Sequence, residues 1–555
     1  MVFPYPELSQ GDREAIPILL ESVRRFMQER VDSKLIDRVG KIGPEIIAEL
    51  KSLGLFGMAI PEAYGGSGLS TTAYCRVMQE IAALDSSLAV TLGAHQSIGL
   101  KGILLFGTEA QKQRYLPKLA TGEWTAAFAL TEPSAGSDAA GIKTTAQLSP
   151  DGSHYVLNGS KIWITNGGFA DVFTVFARTS PPGEGSKPRI TAFIVERSMG
   201  ARTGPEEHKL GIRGSSTTEV YFEDVAVPAA NVLGEVGRGF KVAMEILNTG
   251  RLGLAAGCSG ACRRLVGMAI ERCNERQAFG RPIGEFALIR EKIGRMMIET
   301  YAIESMVYLT TGLIDRGVPD FSIESAICKV YGSEALWRVV NETLQIAAGI
   351  GYMQEYPYER LLRDARINLI FEGTNEILRC FIALTGAQGP GTKLAEVARA
   401  IREPIKGFGL LSDFAIQRVR TSLGRERLTR AHELLKREAV IFEDFVGELA
   451  KNTEKSLRKH GREIAEMQLT QRRLAEIAMD LYAMAAVISR TTRAIERRGE
   501  EGAQREIQMC TAFCGRAEHR MKKQMREFDS NDDDVLKAIA QTSFKDVDGY
   551  PWDIV

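Results

Sequence analysis

The chain has no net charge, because its 70 lysine and arginine residues balance 70 aspartate and glutamate residues. Proteins that bind nucleic acid through their overall field carry an excess of basic residues, so nothing in the composition indicates a nucleic-acid partner. Eight cysteines in 555 residues are also too few for a secreted disulfide framework, and we expect free thiols. The pairs Cys258/Cys262 and Cys510/Cys514 have no nearby histidine, which predicts packing residues and no metal site.

Long apolar runs are missing as well. The most apolar long window, residues 478–489, is too short to span a bilayer and contains Asp480, so we predict that no segment crosses a membrane. Residues 1–22 lack the basic and apolar regions of a signal peptide and carry acids early, unlike a transit peptide. This predicts a mature or cytosolic N-terminus. The glycine-rich stretch "YGGSGLS", residues 64–70, lacks the spacing and the preceding strand of a dinucleotide fingerprint and is predicted to be a loop.

The hydrophobic period changes twice along the chain. Apolar residues recur at helical steps in 1–122, and 123–235 contains short runs rich in β-branched and aromatic residues, such as "DVFTVFA" and "ITAFIVE". This second region predicts an antiparallel β domain with a tight hairpin at Asn158-Gly159. Helical periodicity returns in 236–386, and the glycine-rich "TGAQGPGT" is predicted to link it to a helical extension over 387–555.

Glu372 ends an apolar run abruptly, since "NLIFEGTNEILR" places Gly373 and Thr374 directly after the acid. Two interpretations are open from these residues alone. Glu372 is a solvated acid in a turn before a helix capped by Thr374 or Asn375, or it is a carboxylate in an apolar cleft. In a cleft, desolvation raises the pKa of the acid and makes it a stronger base.

A second candidate site lies in the β region. The loop "ALTEPSAGSDAAG", residues 129–141, collects Thr131 and Ser137, and the hydroxyls and backbone N–H groups of such a loop bind phosphate or ring oxygens unless the loop is an ordinary polar connection. Further on, period-two geometry places Trp163 and Thr165 on one strand face, opposite Ile162 and Ile164. An indole beside a hydroxyl forms a wall for an aromatic ring system, or else a surface pair.

Gly99 and Gly102 lie three residues apart, on one face of a predicted helix, in "GAHQSIGLKGILLFG". Bare glycines on a helix face allow close approach of another element. The functional alternative is a channel for an extended apolar chain.

Five motifs carry a family resemblance: "TEPSAGSD", "WITNGG", "RQAFG", "LQIAAGIGYMQEYPYERLLRDARI" and "FEGTNEILR". They stand in the same order and at the same approximate spacing as in the acyl-CoA dehydrogenases. The resemblance covers residues 6–385, and the helical extension is similar to that of the very-long-chain subfamily and its relatives. It implies a mainly α fold with an N-terminal helical domain, a middle β domain, a four-helix bundle and a C-terminal helical domain, with FAD between sheet and bundle.

The resemblance implies that Glu372 is a catalytic base, which removes the pro-R α-proton of an acyl-CoA thioester while the β-hydrogen leaves as hydride to FAD. The backbone N–H of Glu372 and a flavin hydroxyl would stabilise the enolate oxygen, and Gly373 would let the ligand approach closely. Within one subunit the implied FAD contacts are Phe128, Leu130, Thr131, Ser137, Trp163, Thr165, Thr374 and Glu376. The residues implied to hold the FAD of a neighbouring subunit are Arg276, Phe279, Gln345 and Gly349.

Substrate contacts are implied in the same way. Ser137 would lie near substrate, and Asn248 and Arg251 match positions that contact CoA, although Asn248 stands where many members have aspartate. Gly99 and Gly102 match positions that leave the pocket floor open in the very-long-chain subfamily. We therefore expect a preference for long acyl chains.

The segment 393–430 carries nine basic and four acidic residues, a net charge of +5, interleaved with apolar residues. A basic amphipathic segment binds an anionic membrane surface peripherally, or it is a cationic helix packed on the bundle. The resemblance favours membrane contact.

The leading functional prediction is FAD-dependent dehydrogenation of long- and very-long-chain acyl-CoA in fatty acid β-oxidation, with electrons passed to electron-transferring flavoprotein. We expect a homodimer, since the extension would cover the surface that shorter members use to pair dimers. An acyl-CoA oxidase and a respiratory-complex assembly or scaffold protein are the alternatives. The expected location is a bacterial cytoplasm, with peripheral contact at the inner membrane, or the mitochondrial matrix side for a mature eukaryotic chain.

Overall fold

The computed structural model describes the backbone of residues 2–179, 189–402 and 428–546. The chain forms two compact units, Met1–Ile377 and Leu378–Val555. Residues 403–427, which make up most of the predicted membrane segment 393–430, lie outside the described residues, as do residues 180–188.

Helices occupy the chain up to Thr121, as the period predicts. Side-chain caps fix several starts: Ser70 accepts from the N–H of Ala73, and Thr108 forms a capping box with Gln111. Residues 65–70 form the predicted loop before the helix that Ser70 caps. The helices are α1 (Gln10–Arg30), α2 (Ser33–Val39), α3 (Pro44–Ser52), α4 (Thr71–Leu84), α5 (Ser86–Gly93), α6 (Lys101–Phe106) and α7 (Glu109–Thr121).

A π-helical turn, Ala94–Gly99, joins α5 to α6. By length and composition alone the stretch Ser86–Phe106 is apolar enough to cross a membrane, but 67% of its most apolar window is buried inside the protein. We interpret it as a core element, because helices buried in a protein core have the same composition.

Eight strands form one sheet in the order β6-β7-β3-β2-β4-β5-β8, with β1 paired to β4. Most neighbours are antiparallel, but β1 and β4 are parallel, so the predicted antiparallel domain contains a mixed sheet. The strands are β1 (Ala126–Ala129), β2 (Thr145–Leu148), β3 (His154–Thr165), β4 (Val172–Thr179), β5 (Arg189–Glu196), β6 (Arg202–Glu206), β7 (Thr217–Pro228) and β8 (Val232–Leu233).

The prediction of a hairpin at Asn158-Gly159 is wrong, because β3 continues through these residues. The register with β7 shifts between Leu157 and Gly159, which marks a β-bulge. Gly159 adopts φ +147° there, and the side chain of Asn158 pairs with Asp224 on β7. The Asn-Gly pair therefore bends a long strand instead of reversing it.

Three long helices follow the sheet. They are α8 (Gly239–Glu275), α9 (Ala287–Asp315) and α10 (Ser322–Ala347), and they are followed by α11 (Tyr358–Arg366) and α12 (Asn375–Arg402). Helix α8 packs against α4, α9 and α10 and holds Cys258 and Cys262 in the core. All eight cysteines are free thiols, as their number predicts, and the seven buried ones include Cys258, Cys262, Cys510 and Cys514, which confirms the prediction that these two pairs are packing residues.

The prediction of a linker at residues 385–392 is wrong, because α12 continues through this glycine-rich stretch to Arg402. Each helical glycine costs about 1 kcal/mol, yet the periodic sequence on both sides is helical. The second unit continues with α13 (Lys436–His460), α14 (Gln468–Gly502), α15 (Gln504–Glu527) and α16 (Asp533–Ser543). Its core includes Met484 and Val487 of α14 and Phe513 of α15.

Candidate active site

Glu372 lies on a tight turn between α11 and α12. Its backbone adopts φ +56° and that of Gly373 φ +96°, so two successive residues are left-handed. A non-glycine residue in this region is strained by about 1–2 kcal/mol, and such strain persists where surrounding contacts hold it. Arg251 of α8 donates from Nε to the Glu372 carbonyl at 3.3 Å, and Lys329 of α10 donates to the Gly373 carbonyl at 2.8 Å.

The carboxylate of Glu372 points toward α8 at Gly250. A Cβ built on Gly250 would lie 2.9 and 3.0 Å from the two carboxylate oxygens and 2.8 Å from Ile98 Cγ2. Only glycine therefore leaves this space to the acid. Glu372 Oε2 is buried and has no hydrogen-bond partner among the described residues. A buried acceptor without a partner is free to accept a proton from a ligand.

Burial raises the pKa of Glu372 from its usual range to about 7, and Arg251 and Lys329 act against this rise. The ionised form loses hydration in the apolar surroundings, while the two cations favour it. A carboxylate whose pKa is near 7 is a far better proton acceptor than a solvated carboxylate, and about half of the molecules still have it ionised at neutral pH. The cleft interpretation of Glu372 is therefore favoured over a solvated turn.

The residues next to Glu372 hold the turn. Thr374 accepts from the N–H of Ile377 at 3.4 Å and so caps α12. Asn375 is buried and accepts from Lys329 Nζ at 2.8 Å, whereas Glu376 is exposed in the first turn of the helix. Arg251 is buried and donates to Asn248 Oδ1 at 2.9 Å, so the predicted CoA contact also belongs to the wall behind Glu372.

A second group of predicted residues meets where β1 and β3 end. The N–H of Ile162 donates to the Thr131 carbonyl at 3.0 Å, which ties the loop after β1 to β3. Trp163 is 60% exposed and Thr165 is partly exposed, so both are accessible, as the strand period predicts. An open indole beside an accessible hydroxyl fits a planar ring system with polar edges.

The period prediction for the opposite face of β3 is only half correct. A second register shift between Lys161 and Ile164 makes Lys161, not Ile162, share the buried face with Ile164. Lys161 Nζ donates to Glu132 Oε1 at 2.8 Å and to the Leu130 carbonyl at 3.1 Å. This buried ion pair fixes the loop that carries Thr131.

Phe128 and Leu130 line the same loop. The Phe128 ring packs on Phe176 with centroids 5.1 Å apart, and Leu130 is buried. Ser137, farther along the loop, is exposed. Ser137 is thus accessible to a ligand, whereas the side chain of Leu130 is buried and its carbonyl accepts from Lys161 Nζ.

The "RQAFG" motif forms a tight hairpin between β9 (Gln277–Ala278) and β10 (Arg281–Pro282). Phe279 and Gly280 take positive φ values, +52° and +77°, as both central residues of a type I′ turn require. Phe279 is 94% exposed, and Arg276 is exposed beside it. Gln345 and Gly349 at the end of α10 are exposed too. The predicted neighbour-subunit contacts are therefore surface residues.

Gly99 and Gly102 serve close packing in this structure. A Cβ on Gly99 would lie 2.8 Å from the backbone of Ala126, and one on Gly102 would lie 2.8 Å from Leu233 and 2.9 Å from Ile246. The space at both positions is filled by protein. The packing supports the close-approach alternative and gives no support to a channel at these two positions.

Sequence reasoning missed Gly250 and Lys329. The sequence does contain a pattern that indicates the burial of Lys329. The lysine shares one face of a helix with Ala326, Val330 and Ser333, which are all small or apolar, and a lysine on such a face is predicted to be buried with a partner. No sequence pattern indicates the role of Gly250, since its contact with Glu372 joins residues far apart in sequence.

Comparison with known families finds four matches along the chain. Residues 14–123, 127–225 and 237–385 match the N-terminal, middle and C-terminal domains of acyl-CoA dehydrogenase. Residues 433–548 match the family described as ACAD9/ACADV, C-terminal domain.

Individual proteins give the same result. The human mitochondrial very long-chain specific acyl-CoA dehydrogenase is 46% identical over 546 residues, which cover 96% of this chain and 82% of that protein. The crystal structure of an acyl-CoA dehydrogenase complexed with FAD from Bacillus anthracis has a TM-score of 0.79 at 35% identity and covers 94% of this chain and 88% of its own. Butyryl-CoA dehydrogenase from Megasphaera elsdenii has a TM-score of 0.65 at 39% identity and covers 68% of this chain and 98% of its own.

Proposed function

The chain belongs to the acyl-CoA dehydrogenase family, and we propose that Glu372 is the base with which it oxidises long- and very-long-chain acyl-CoA thioesters. The protein is an FAD-dependent acyl-CoA dehydrogenase of fatty acid β-oxidation. The observation that carries the assignment of the base is the buried Oε2 of Glu372, which has no hydrogen-bond partner in the described part of the chain.

The reaction breaks two C–H bonds. Glu372 takes the α-proton and becomes a neutral acid, while the β-hydrogen leaves with its electron pair and a trans-2-enoyl thioester forms. FAD, when bound, supplies the acceptor of that pair. The desolvated carboxylate, with a pKa near 7, accepts the α-proton more readily than a solvated one. Gly250 leaves the carboxylate room, and the Arg251 contact with the Glu372 carbonyl limits its movement.

The cofactor residues fit FAD. Trp163 offers an open indole face, and the partly exposed hydroxyls of Thr131 and Thr165 lie at the same edge of the sheet, where the Ile162 N–H ties the loop of Thr131 to β3. We propose that these residues, with Phe128, Leu130 and Ser137, hold the flavin, and that Thr374 and Glu376 contact the remainder of the cofactor. Arg276, Phe279, Gln345 and Gly349 would contact the FAD of a second subunit.

The long-chain preference draws its support from the relatives and the C-terminal unit. Residues 433–548 match a family described for ACAD9/ACADV, and the human relative is specific for very long chains by name. The packing of Gly99 and Gly102 does not add to this support. We propose that the preference comes from elsewhere in the pocket.

Three further proposals concern partners. Electron-transferring flavoprotein is proposed as the acceptor on the basis of the family. A homodimer is proposed because Phe279, Leu288 and Tyr352 expose large apolar surfaces. Peripheral membrane contact through 393–430 is proposed from its charge of +5, and liposome flotation of the chain with and without residues 403–427 tests it.

The test of the substrate class is product analysis. Purified, FAD-loaded protein with palmitoyl-CoA and electron-transferring flavoprotein should release trans-2-hexadecenoyl-CoA without hydrogen peroxide. Turnover with oxygen alone, accompanied by one equivalent of hydrogen peroxide, would identify an oxidase. No product from any acyl-CoA, together with co-purification of respiratory subunits, would favour the scaffold alternative.

A further inference from the structure

Lys329 is a completely buried lysine on α10, with no solvent-exposed surface. Its ammonium group donates to the Gly373 carbonyl and to Asn375 Oδ1, both at 2.8 Å. Asn375 in turn donates to Ser333 Oγ at 3.0 Å, one helical turn after Lys329. A buried ammonium group costs several kcal/mol of hydration free energy, so it persists only where its donors are well paired.

The acceptors of Lys329 lie in the turn that carries the base. Successive carbonyls of this turn, those of Glu372 and Gly373, are each held by a different cation, Arg251 and Lys329. Both residues of the turn have left-handed backbones. Because the left-handed conformation of Glu372 is disfavoured by itself, these contacts are needed to keep it.

The charged and titratable groups that act on Lys329 come from three elements. They are Glu372 on the turn, Arg251 and Cys258 on α8, and Glu334 on α10 itself. Burial lowers the pKa of Lys329 to about 8, so the lysine is mainly cationic at neutral pH. Its charge in turn favours the ionised form of Glu372.

We propose that Lys329 is a positioning residue for the base: its ammonium group fixes the Gly373 carbonyl and Asn375, and so holds Glu372 in the orientation that meets the substrate. This inference rests on the proposed role of Glu372. It adds that a buried cation on α10 sets both the geometry of the turn and the pH range in which the acid is ionised.

The main test replaces the cation with an amide, in Lys329→Gln. The rate of flavin reduction by palmitoyl-CoA is measured under anaerobic single-turnover conditions from pH 6 to pH 9. Loss of the positive charge makes Glu372 harder to ionise, so the ratio of the rate at pH 6 to that at pH 9 should fall at least about tenfold below the ratio of the parent protein. FAD content should stay unchanged.

Arg264→Met is the matched control. Arg264 is a partly buried cation of α8 that also holds two backbone carbonyls, those of Ala83 and Leu84, but it does not act on Glu372. The ratio of rates in this variant should equal that of the parent. A fall in this ratio as large as that in Lys329→Gln would mean that any buried cation in the bundle has this effect, and would overturn the proposal.

An infrared titration gives a reading that does not depend on turnover. The C=O stretch of protonated Glu372, identified by its absence in Glu372→Gln, should disappear at a higher pH in Lys329→Gln than in the parent. An unchanged midpoint in a folded variant would overturn the proposal. If the parent protein shows this titration but no flavin reduction, the proposed function fails while the infrared midpoint still decides the role of Lys329.

Lys329→Arg serves if the glutamine variant does not fold. Arginine keeps the charge but displaces the donors, so the infrared midpoint should stay near that of the parent, while the rate at pH 7, where Lys329 of the parent is mainly cationic, should fall at least about tenfold. A rate at pH 7 equal to that of the parent would contradict the positioning role.

Discussion

At the scale of single residues, Glu372 combines two properties that are costly for folding and useful for proton transfer. It is an acid in apolar surroundings and it occupies a left-handed backbone region. The neighbours that tolerate it are Gly250, which leaves space, and Arg251 and Lys329, which supply positive charge and hold the turn. On the proposed role of Glu372, the site therefore gives up some stability for a base of suitable strength.

The pH dependence of stability should show this cost. Because the pKa of Glu372 is raised from about 4.3 in the unfolded chain to about 7 in the folded one, its contribution to stability is fully present below pH 4 and is lost as the pH rises through 7. Glu372→Gln should therefore be more stable than the parent at pH 8, by up to about 4 kcal/mol. Urea unfolding of both proteins at pH 8 and pH 5 measures the difference. An equal gain at both pH values would show that ionisation of Glu372 is not its source.

Gly250→Ala tests the space reserved for the carboxylate. The new Cβ would lie 2.9 Å from Glu372 Oε2 and 2.8 Å from Ile98, so the acid must move. The rate of flavin reduction by palmitoyl-CoA should fall about 10- to 100-fold, because small misplacements of a reacting group have effects of this size. FAD content should be unchanged.

Gly267→Ala is the control on the same helix. Its Cβ meets nothing within 4 Å, so activity should match that of the parent, and helix propensity should add up to about 1 kcal/mol of stability. Parent-like rates in Gly250→Ala would show that the carboxylate does not need this space.

Glu372 could be predicted from the sequence, because an apolar run that ends on an acid is visible locally and the motif resembles a known family. The roles of Gly250 and Lys329 could not. Each depends on where the turn at 372–373 comes to lie against α8 and α10, which no local pattern specifies.

At the scale of elements, β3 shows where the two-residue alternation of a strand fails to predict which side chains are buried. Strict alternation predicts that Ile162 and Ile164 share a face, but bulges at Gly159 and after Lys161 shift the register, so that Lys161 enters the core and pairs with Glu132. An Asn-Gly pair favours a hairpin locally, but β3 pairs with β7 on both sides of it. Long-range pairing therefore decided the structure, although the position of the strand itself could be predicted from its composition.

Gly102→Gln separates the packing role of this glycine from a channel. The glutamine side chain would enter a space held by Leu233 and Ile246, which are both buried, so the protein should lose about 1–3 kcal/mol of stability. Loosening of this packing should lower activity equally with palmitoyl-CoA and octanoyl-CoA. Gly267→Gln, the same change at an open position of α8, should leave activity with both substrates unchanged and should not lower stability, because glutamine favours a helix more than glycine does. A selective loss with palmitoyl-CoA would restore the channel alternative.

At the scale of the whole molecule, the order of helices, sheet, helices and helical extension could be predicted, because the hydrophobic period changes at the boundaries of these regions. The continuation of α12 through residues 385–392 could not, since glycine-rich composition indicates a linker. Composition describes what a segment favours by itself. The helices on either side decided the outcome here.

The exposed Phe279 predicts a dimer in which cofactor binding depends on the second subunit. Sedimentation should give about twice the chain mass of 61.0 kDa. Phe279→Ser should weaken FAD retention and the dimer together, because the ring is 94% exposed and meets only the edge of Phe286 within its own subunit, 5.9 Å away between ring centroids. Leu536→Ser, which changes an exposed leucine in the second unit, is the control and should affect neither. A monomer with full FAD content would contradict the prediction.

The measurement that tests the central claim most directly is anaerobic mixing of the FAD-loaded protein with palmitoyl-CoA, followed by flavin absorption, for the parent and for Glu372→Gln. If Glu372 is the base, the absorption of oxidised flavin in the parent disappears after mixing with palmitoyl-CoA. The variant, with the same FAD content, keeps this absorption. Equal loss in both proteins would contradict the assignment of Glu372. No loss in the FAD-loaded parent would contradict oxidation of long-chain acyl-CoA.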